Sequence, residues 1–134
     1  MTTAEMIQEA SKLVNPQSID NAEMGSVASI LITEQGTIFQ GVCIDTISGM
    51  GFCAEHTAIS QMITQGEYRI AKIVAVKKDE QGNVYVMAPC GRCREFMFQT
   101  NKQNIETEVI LGADRVLKLA DLLPYQDWQE RVEG

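Results

Sequence analysis

The chain has 134 residues, 45% of them hydrophobic and 22% charged, with 18 acidic against 11 basic side chains and a net charge of −7. A chain of this size buries roughly two-thirds of the surface it exposes when unfolded, so one domain over residues 1–134 is expected, with no room for a separate substrate domain. The acidic balance argues against a DNA or RNA polymer as substrate, because phosphate neutralisation calls for a basic stripe, and Lys77-Lys78 is the only adjacent basic pair. Nothing approaches the roughly 18 apolar residues of a membrane span, and no basic start leads into an apolar block, so a cytoplasmic protein with reduced thiols is expected.

Thr2 and Glu5 read as a capping box, and Met6, Ala10, Leu13 and Val14 continue at helical spacing until Asn15-Pro16. Val27–Ile32 and Ile38–Ile44 are β-prone runs around a Glu34-Gln35-Gly36 turn and predict a hairpin. Residues 45–52 carry two glycines and no periodicity, so a loop leads into Cys53. Ala54, Ala58, Ile59, Met62 and Ile63 then form a helical stripe ending at Gly66, a residue that tolerates positive φ.

Ile70–Val76 suits a buried strand, and Gln81-Gly82-Asn83 turns the chain into Val84–Met87. After Pro89, residues from Cys90 to about Thr100 predict a third helix with Phe96 and Met97 inward. Glu108–Leu111 reads as a strand, Gly112-Ala113-Asp114 as a turn, Val116–Leu119 as a short extension and Ala120–Leu123 as a helical turn stopped by Pro124. Tyr125–Glu133 has the composition of one more helix. The order α-β-β-α-β-α-β-α predicts one sheet with helices on its faces, a three-layer α/β/α sandwich.

Two short motifs carry the chemistry. Cys53-Ala54-Glu55 and Pro89-Cys90-Gly91-Arg92-Cys93 form the C-x-E…P-C-x-x-C pattern of zinc deaminases that strip an amino group from a nucleobase. Zinc takes thiolate ligands in a tetrahedral cage, and a catalytic site keeps one position open for water. Cys53, Cys90 and Cys93 are the expected ligands of one zinc ion. All three fall at predicted helix starts, where the partial positive charge favours thiolate. Glu55, two residues after Cys53, is the expected general acid and base: it reaches toward the metal without completing its coordination and moves protons from water to the ring nitrogen and the leaving amine. Zinc brings the pKa of bound water from about 15.7 toward roughly 7, which provides the nucleophile.

Gly41-Val42, Cys53-Ala54-Glu55-His56-Thr57-Ala58 and Pro89-Cys90-Gly91-Arg92-Cys93-Arg94-Glu95 resemble the cytidine deaminase family, including its blasticidin-S deaminase branch, over nearly the whole chain. Ser26-Val27-Ala28-Ser29 and Leu122-Leu123-Pro124 are similar to that branch in particular. The resemblance implies a mixed five-stranded sheet, one zinc per subunit, a homotetramer whose neighbouring subunits help build each site, and a small aminopyrimidine nucleoside as substrate. It also implies that Ala54 offers its backbone N–H to the pyrimidine carbonyl. Cytidine or deoxycytidine, or a close analogue, would be converted to the uracil form with release of ammonia.

Three positions depart from that pattern. His56 stands where the family commonly carries an arginine that hydrogen-bonds the thiolates, and Arg92 is the expected electrostatic substitute, since three thiolates and hydroxide on Zn²⁺ sum to −2. Cys43-Ile44-Asp45 replaces the Asn-x-Glu pair that grips ribose, so Cys43 and Asp45 are substrate-binding candidates with altered chemistry. A specialised aminopyrimidine deaminase, such as one for a blasticidin-S-type antibiotic, is the alternative this substitution raises. Three further readings compete: Cys43 as a fourth thiolate closing a structural zinc site, Cys90 and Cys93 as a redox pair, and a non-catalytic zinc-stabilised module. Tyr125 and Trp128 are aromatics able to stack on a base, although such residues more often seal a helix onto the core.

Overall fold

Helix α1 (Thr3–Leu13) begins as the sequence predicts: Thr2 Oγ1 accepts the Glu5 N–H at 3.1 Å, and the Glu5 carboxylate accepts the Thr2 N–H at 2.9 Å. The computed structural model describes residues 1–126 and 128–133. After α1 come strands β1 (Gln17–Ile19), β2 (Ala22–Thr33) and β3 (Ile38–Asp45), helix α2 (Ala54–Thr64), and strands β4 (Ile70–Lys78) and β5 (Val84–Val86). Helix α3 (Gly91–Thr100), strands β6 (Glu108–Gly112) and β7 (Arg115–Lys118), and a short α4 (Leu119–Leu122) complete the order.

Among the described residues the sheet has seven strands. Its body is β3-β2-β4-β6-β7, the five expected, and the two additional strands are three-residue hairpin partners, β1 on the start of β2 and β5 on the end of β4. All pairs are antiparallel except β4–β6. That parallel pair requires a crossover, which α3 supplies.

Side chains alternate across the strands, and the alternation sorts the core into two layers. Ile30, Val74 and Ile110 face Met6 and Ala10 of α1. Their neighbours Leu31, Ile73 and Val109 face the opposite way, onto Ala58, Ile59 and Met62 of α2 and Cys93, Met97 and Phe98 of α3. The three-layer sandwich is therefore present, with α1 on one face and α2 and α3 together on the other. Each fully buried Leu or Ile contributes about 1.5–3 kcal/mol.

Close backbone approach fixes α2 on β3. A Cβ at Gly41 would lie 2.6 Å from the Ala58 nitrogen and from Thr57 Cβ, and the Thr57 hydroxyl donates to the Val42 carbonyl at 2.9 Å. At the other end of α3, fully buried Asn104 sits in a 3₁₀ turn over Lys102–Glu106, accepting the Ile70 N–H at 2.9 Å and donating to the Met97 carbonyl at 2.9 Å.

One expectation is corrected. Tyr125, Gln126 and residues 128–133 form no helix, with Asp127 outside the described residues. Pro124 interrupts the preceding turn and Tyr125 takes a φ of 57°, and the apolar side chains that follow have no layer to pack on: Trp128 is 68% and Val132 90% exposed. An amphipathic pattern without a packing surface does not hold a short helix.

Candidate metal centre and catalytic pocket

Two chain reversals bring the cysteine motifs together. β3 ends at Asp45, and the loop after it is tied back by the Ile44–Phe52 bridge, with N–H to carbonyl distances of 3.0 and 2.8 Å, so that Cys53 caps α2. Beyond β5, the Met87 N–H donates to the Ala75 carbonyl at 2.8 Å, and Pro89 turns the chain so that Cys90 caps α3. Neither cysteine makes a side-chain capping bond. Their thiols point at each other.

Cys53 Sγ lies 3.4 Å from Cys90 Sγ, and Cys90 Sγ lies 3.6 Å from Cys93 Sγ. All three sulfurs fall within 4.8 Å of one another. Tetrahedral ligation at a Zn–S length near 2.3 Å requires sulfurs about 3.8 Å apart, so these side chains fit a zinc ion. Their charge state points the same way. Burial, then the Cys90 sulfur, raises the Cys53 thiol pKa, while burial, then the Glu55 carboxylate, raises that of Cys93 above the usual thiol range. For Cys90, burial works upward, but hydrogen bonds from the Cys93 N–H and the Cys53 sulfur outweigh it and lower the pKa. A divalent cation supplies the positive charge that would let all three ionise together.

Among the described residues the metal-competent cluster is Cys53, Cys90 and Cys93, without Cys43. Cys43 is engaged elsewhere: its sulfur accepts the Val27 N–H at 3.3 Å and lies 3.2 Å from Ser26 Oγ. The four-thiolate cage therefore lacks its fourth member. A simple redox pair is also a poor description, because the Cys53 sulfur is as close to Cys90 as Cys93 is.

Beside the sulfurs is a cavity of about 320 Å³, which Cys43, Asp45, Cys53, Ala54, Glu55 and Arg92 all help to line. Glu55, in the first turn of α2, is only 5% exposed, and burial raises its pKa above the ordinary carboxylate value. Ala54 is the first residue of α2, and such N–H groups have no intrahelical partner. Arg92 donates from Nη1 to the Gly51 carbonyl at 3.2 Å, clamping the loop before Cys53 to the start of α3.

His56 is 7% exposed and stacks edge-on against Phe96 with centroids 4.0 Å apart, its Nε2 without a partner. Burial, then the Arg92 charge, lowers its pKa. Trp128 lies with Phe98, Gln99 and Lys102 around a separate hollow at the far end of α3, away from the thiols.

Sequence reasoning missed part of the wall. Ser26, Val27, Ala75, Met87 and Ala88 also line the cavity. Ser26-Val27 lies in the segment whose resemblance is given above, and Ala75 adds a signal of its own, a small side chain between Val74 and Val76 in a β-branched run that leaves room for the cavity.

A family model described as the cytidine and deoxycytidylate deaminase zinc-binding region matches residues 1–109. The chain is 31% identical over 98 residues to a blasticidin-S deaminase of Bacillus cereus, covering 69% of each protein. It is 35% identical over 71 residues to a probable cytidine deaminase of Dictyostelium discoideum, a match to 52% of this chain that spans just under half, 46%, of that relative's length. The crystal structure of a cytidine deaminase from Burkholderia pseudomallei superposes with a TM-score of 0.73 at 29% identity, covering 93% of this chain and 98% of that one.

Proposed function

Because this chain belongs to the cytidine and deoxycytidylate deaminase zinc-binding family, we propose that it hydrolyses the exocyclic C–N bond of a cytosine nucleoside or close aminopyrimidine analogue. The observation that carries this reading is a buried carboxylate, Glu55, opening into the same cavity as Cys53 and Cys90, two of the three clustered thiols. Cys53, Cys90 and Cys93 are the proposed zinc ligands. When bound there, zinc supplies the Lewis acidity that makes water a competent nucleophile near neutral pH.

The remaining work falls to the chain. Glu55 takes a proton from the attacking water, passes it to ring N3, and carries a second proton to the departing amine. One water enters and one ammonia leaves, and the carboxylate ends as it began. Its burial keeps bulk water from competing for those protons. The backbone N–H of Ala54, a residue that lines the cavity at the start of α2, holds the pyrimidine carbonyl and fixes the ring against Glu55. Arg92 contributes positive charge at the rim and holds the loop that leads into Cys53.

A free nucleoside fits this small cavity and a net charge of −7 better than a nucleic acid polymer does. We further propose one domain over residues 1–134, assembly as a homotetramer, and a reducing, cytoplasmic setting that keeps the four cysteines free. Among the described residues, no helix is long and apolar enough to cross a membrane. A specialised antibiotic deaminase is the second reading, favoured by the occupation of Cys43 with Val27 and Ser26 where the family's ribose-gripping amide would stand.

Zinc content and ultraviolet loss of cytosine absorbance test the proposal together. Wild type is expected to hold about one zinc and to turn over a cytosine compound. Glu55→Ala is expected to retain zinc while activity falls by about 10²–10⁴-fold, the range for a lost general acid and base. Expulsion of zinc by that substitution would refute the assigned role, and zinc without turnover on any aminopyrimidine would mark a non-catalytic module.

A further inference from the structure

The three thiols are not held equally well. Cys93 is buried in the core beneath α3 and Cys53 is half-buried at the start of α2, but Cys90 is exposed. Its side chain caps no amide, so packing gives its sulfur little hold. A ligand in that situation is placed by its backbone. Two torsions set the direction in which the Cys90 side chain leaves, and they are fixed once the peptide planes on either side are fixed.

Both planes are held by one residue. The Arg94 N–H donates to the Cys90 carbonyl at 3.0 Å, and Arg94 Nε donates to the Pro89 carbonyl at 2.8 Å. The other arm of the same guanidinium, Nη1, donates at 3.1 Å to the carbonyl of Leu122, 28 residues further along. Leu122 closes α4, and carbonyls at a helix end have no intrahelical partner. Fully buried Leu119, with Leu122 and Leu123, seats α4 on the cluster that contains Cys93. The fork thus ties the peptide before the most exposed thiol to a segment anchored in the core.

Local electrostatics do not explain an arginine at this position. It falls in the first turn of α3, where the helix dipole disfavours a cation. A rigid planar fork that satisfies two separate carbonyls does explain it, and the compact ammonium of a lysine has no such reach. Arg92 holds the loop before Cys53 through the Gly51 carbonyl, so each of the two helix starts that face each other has an arginine fixing its approach.

We propose that Arg94 is a positioning residue for the metal: it fixes Cys90 for ligation and makes zinc retention depend on how firmly α4 is seated. The inference rests on the reading of Cys90 as a zinc ligand. Among the described residues lining the cavity Arg94 does not appear, so it acts through Cys90 and leaves KM of the zinc-loaded chain unchanged.

Chelator competition on the zinc-loaded chain, below its melting transition, tests this. Arg94→Met is expected to bind zinc about 10–100-fold more weakly, the range for a lost partner behind a metal ligand. In the cobalt-loaded chain the same substitution should weaken the thiolate-to-cobalt charge-transfer band. Arg94→Lys should fall between the two, and it decides by the same measures if Arg94→Met does not fold. Leu123→Ala loosens α4 and should weaken zinc binding in wild type but add nothing to Arg94→Met. Asn104→Ala is the control: it cuts bonds to the Ile70 N–H and the Met97 carbonyl at the far end of α3, so it should lower the melting temperature and leave zinc affinity near wild type.

Wild-type affinity in Arg94→Met, an equal loss in Asn104→Ala, or full additivity with Leu123→Ala would overturn the inference. A wild-type chain that binds no zinc would overturn it together with the metal reading. Zinc that is bound, and weakened by Arg94→Met, without turnover of any aminopyrimidine would leave the positioning role in place while the deaminase reading falls.

Discussion

Among the described residues, the three long helices start in two different ways. α1 is closed by its own side chains, with Thr2 and Glu5 satisfying each other's backbone amides. α2 and α3 each begin on a cysteine that makes no side-chain capping bond. A good N-cap contributes about 1 kcal/mol relative to alanine, so the two open starts forgo stability that the closed one gains. In return they leave unpaired amides, a partial positive charge and a sulfur facing the same point. A metal in that position offsets the loss, because apparent binding energies of structural zinc run to about 10–16 kcal/mol. One helix start is built to hold the fold, and two are built to hold something else.

The strongest way to break this contrast is Cys93→Ala. Cys93 is fully buried and belongs both to the thiol cluster and to the core beneath α3. Zinc content is expected to fall from about one per chain to near zero, and turnover to fall by at least 10³-fold with it, since the proposed nucleophile depends on the metal. The decisive measurement is thermal unfolding with and without a chelator. Wild type should lose stability on chelation, because a ligand bound only by the folded state stabilises it by mass action, and the variant should not respond. A variant that keeps zinc would separate Cys93 from the metal site.

Gly41→Ala sharpens the contrast by moving one open start relative to the other. Its new Cβ would meet the Ala58 nitrogen and Thr57 Cβ at 2.6 Å, and since the first of these is helix backbone, α2 must shift. Overpacking of this kind costs about 1–3 kcal/mol. The shift is expected to displace Cys53 from Cys90, so zinc affinity should drop by more than the loss in melting temperature alone would explain. Unchanged zinc affinity would show that the loop before Cys53, and not the packing of α2 on β3, sets the sulfur geometry.

The two kinds of helix start differ in how well the sequence reveals them. Cys53-x-Glu55 and Cys90-x-x-Cys93 each fall within one helical turn, and a motif that short specifies its own local geometry. The capping box at Thr2 is legible for the same reason. β1 carries no sequence signal, because Gln17-Ser18-Ile19 is exposed at all three positions and shows no alternation; only its pairing with the start of β2 makes it a strand. The start of β2 at Ala22 was hidden by Gly25, whose φ of 85° gives a local pattern unlike a strand. Asn104 gave no sign of being buried, since its partners at Ile70 and Met97 are remote in sequence. The cavity wall was obscured similarly: Ser26 and Ala75 come from different strands, and their convergence on Glu55 is a property of the sheet register.

The smallest effect belongs to the closed start. Thr2→Ala removes the acceptor for the Glu5 N–H and leaves the Glu5 side chain without its reciprocal geometry, which should cost about 1 kcal/mol and lower the melting temperature by about 3–5 °C for a chain of this size. α1 packs through Met6 and Ala10 on the opposite face of the sheet from the thiols. Zinc content, kcat and KM are therefore expected to match wild type below the transition. If the substitution instead weakened zinc retention or turnover, the two faces would be coupled through Ile30, Val74 and their neighbours Leu31 and Ile73, and helix-start closure on one side would be part of how the other side holds its metal.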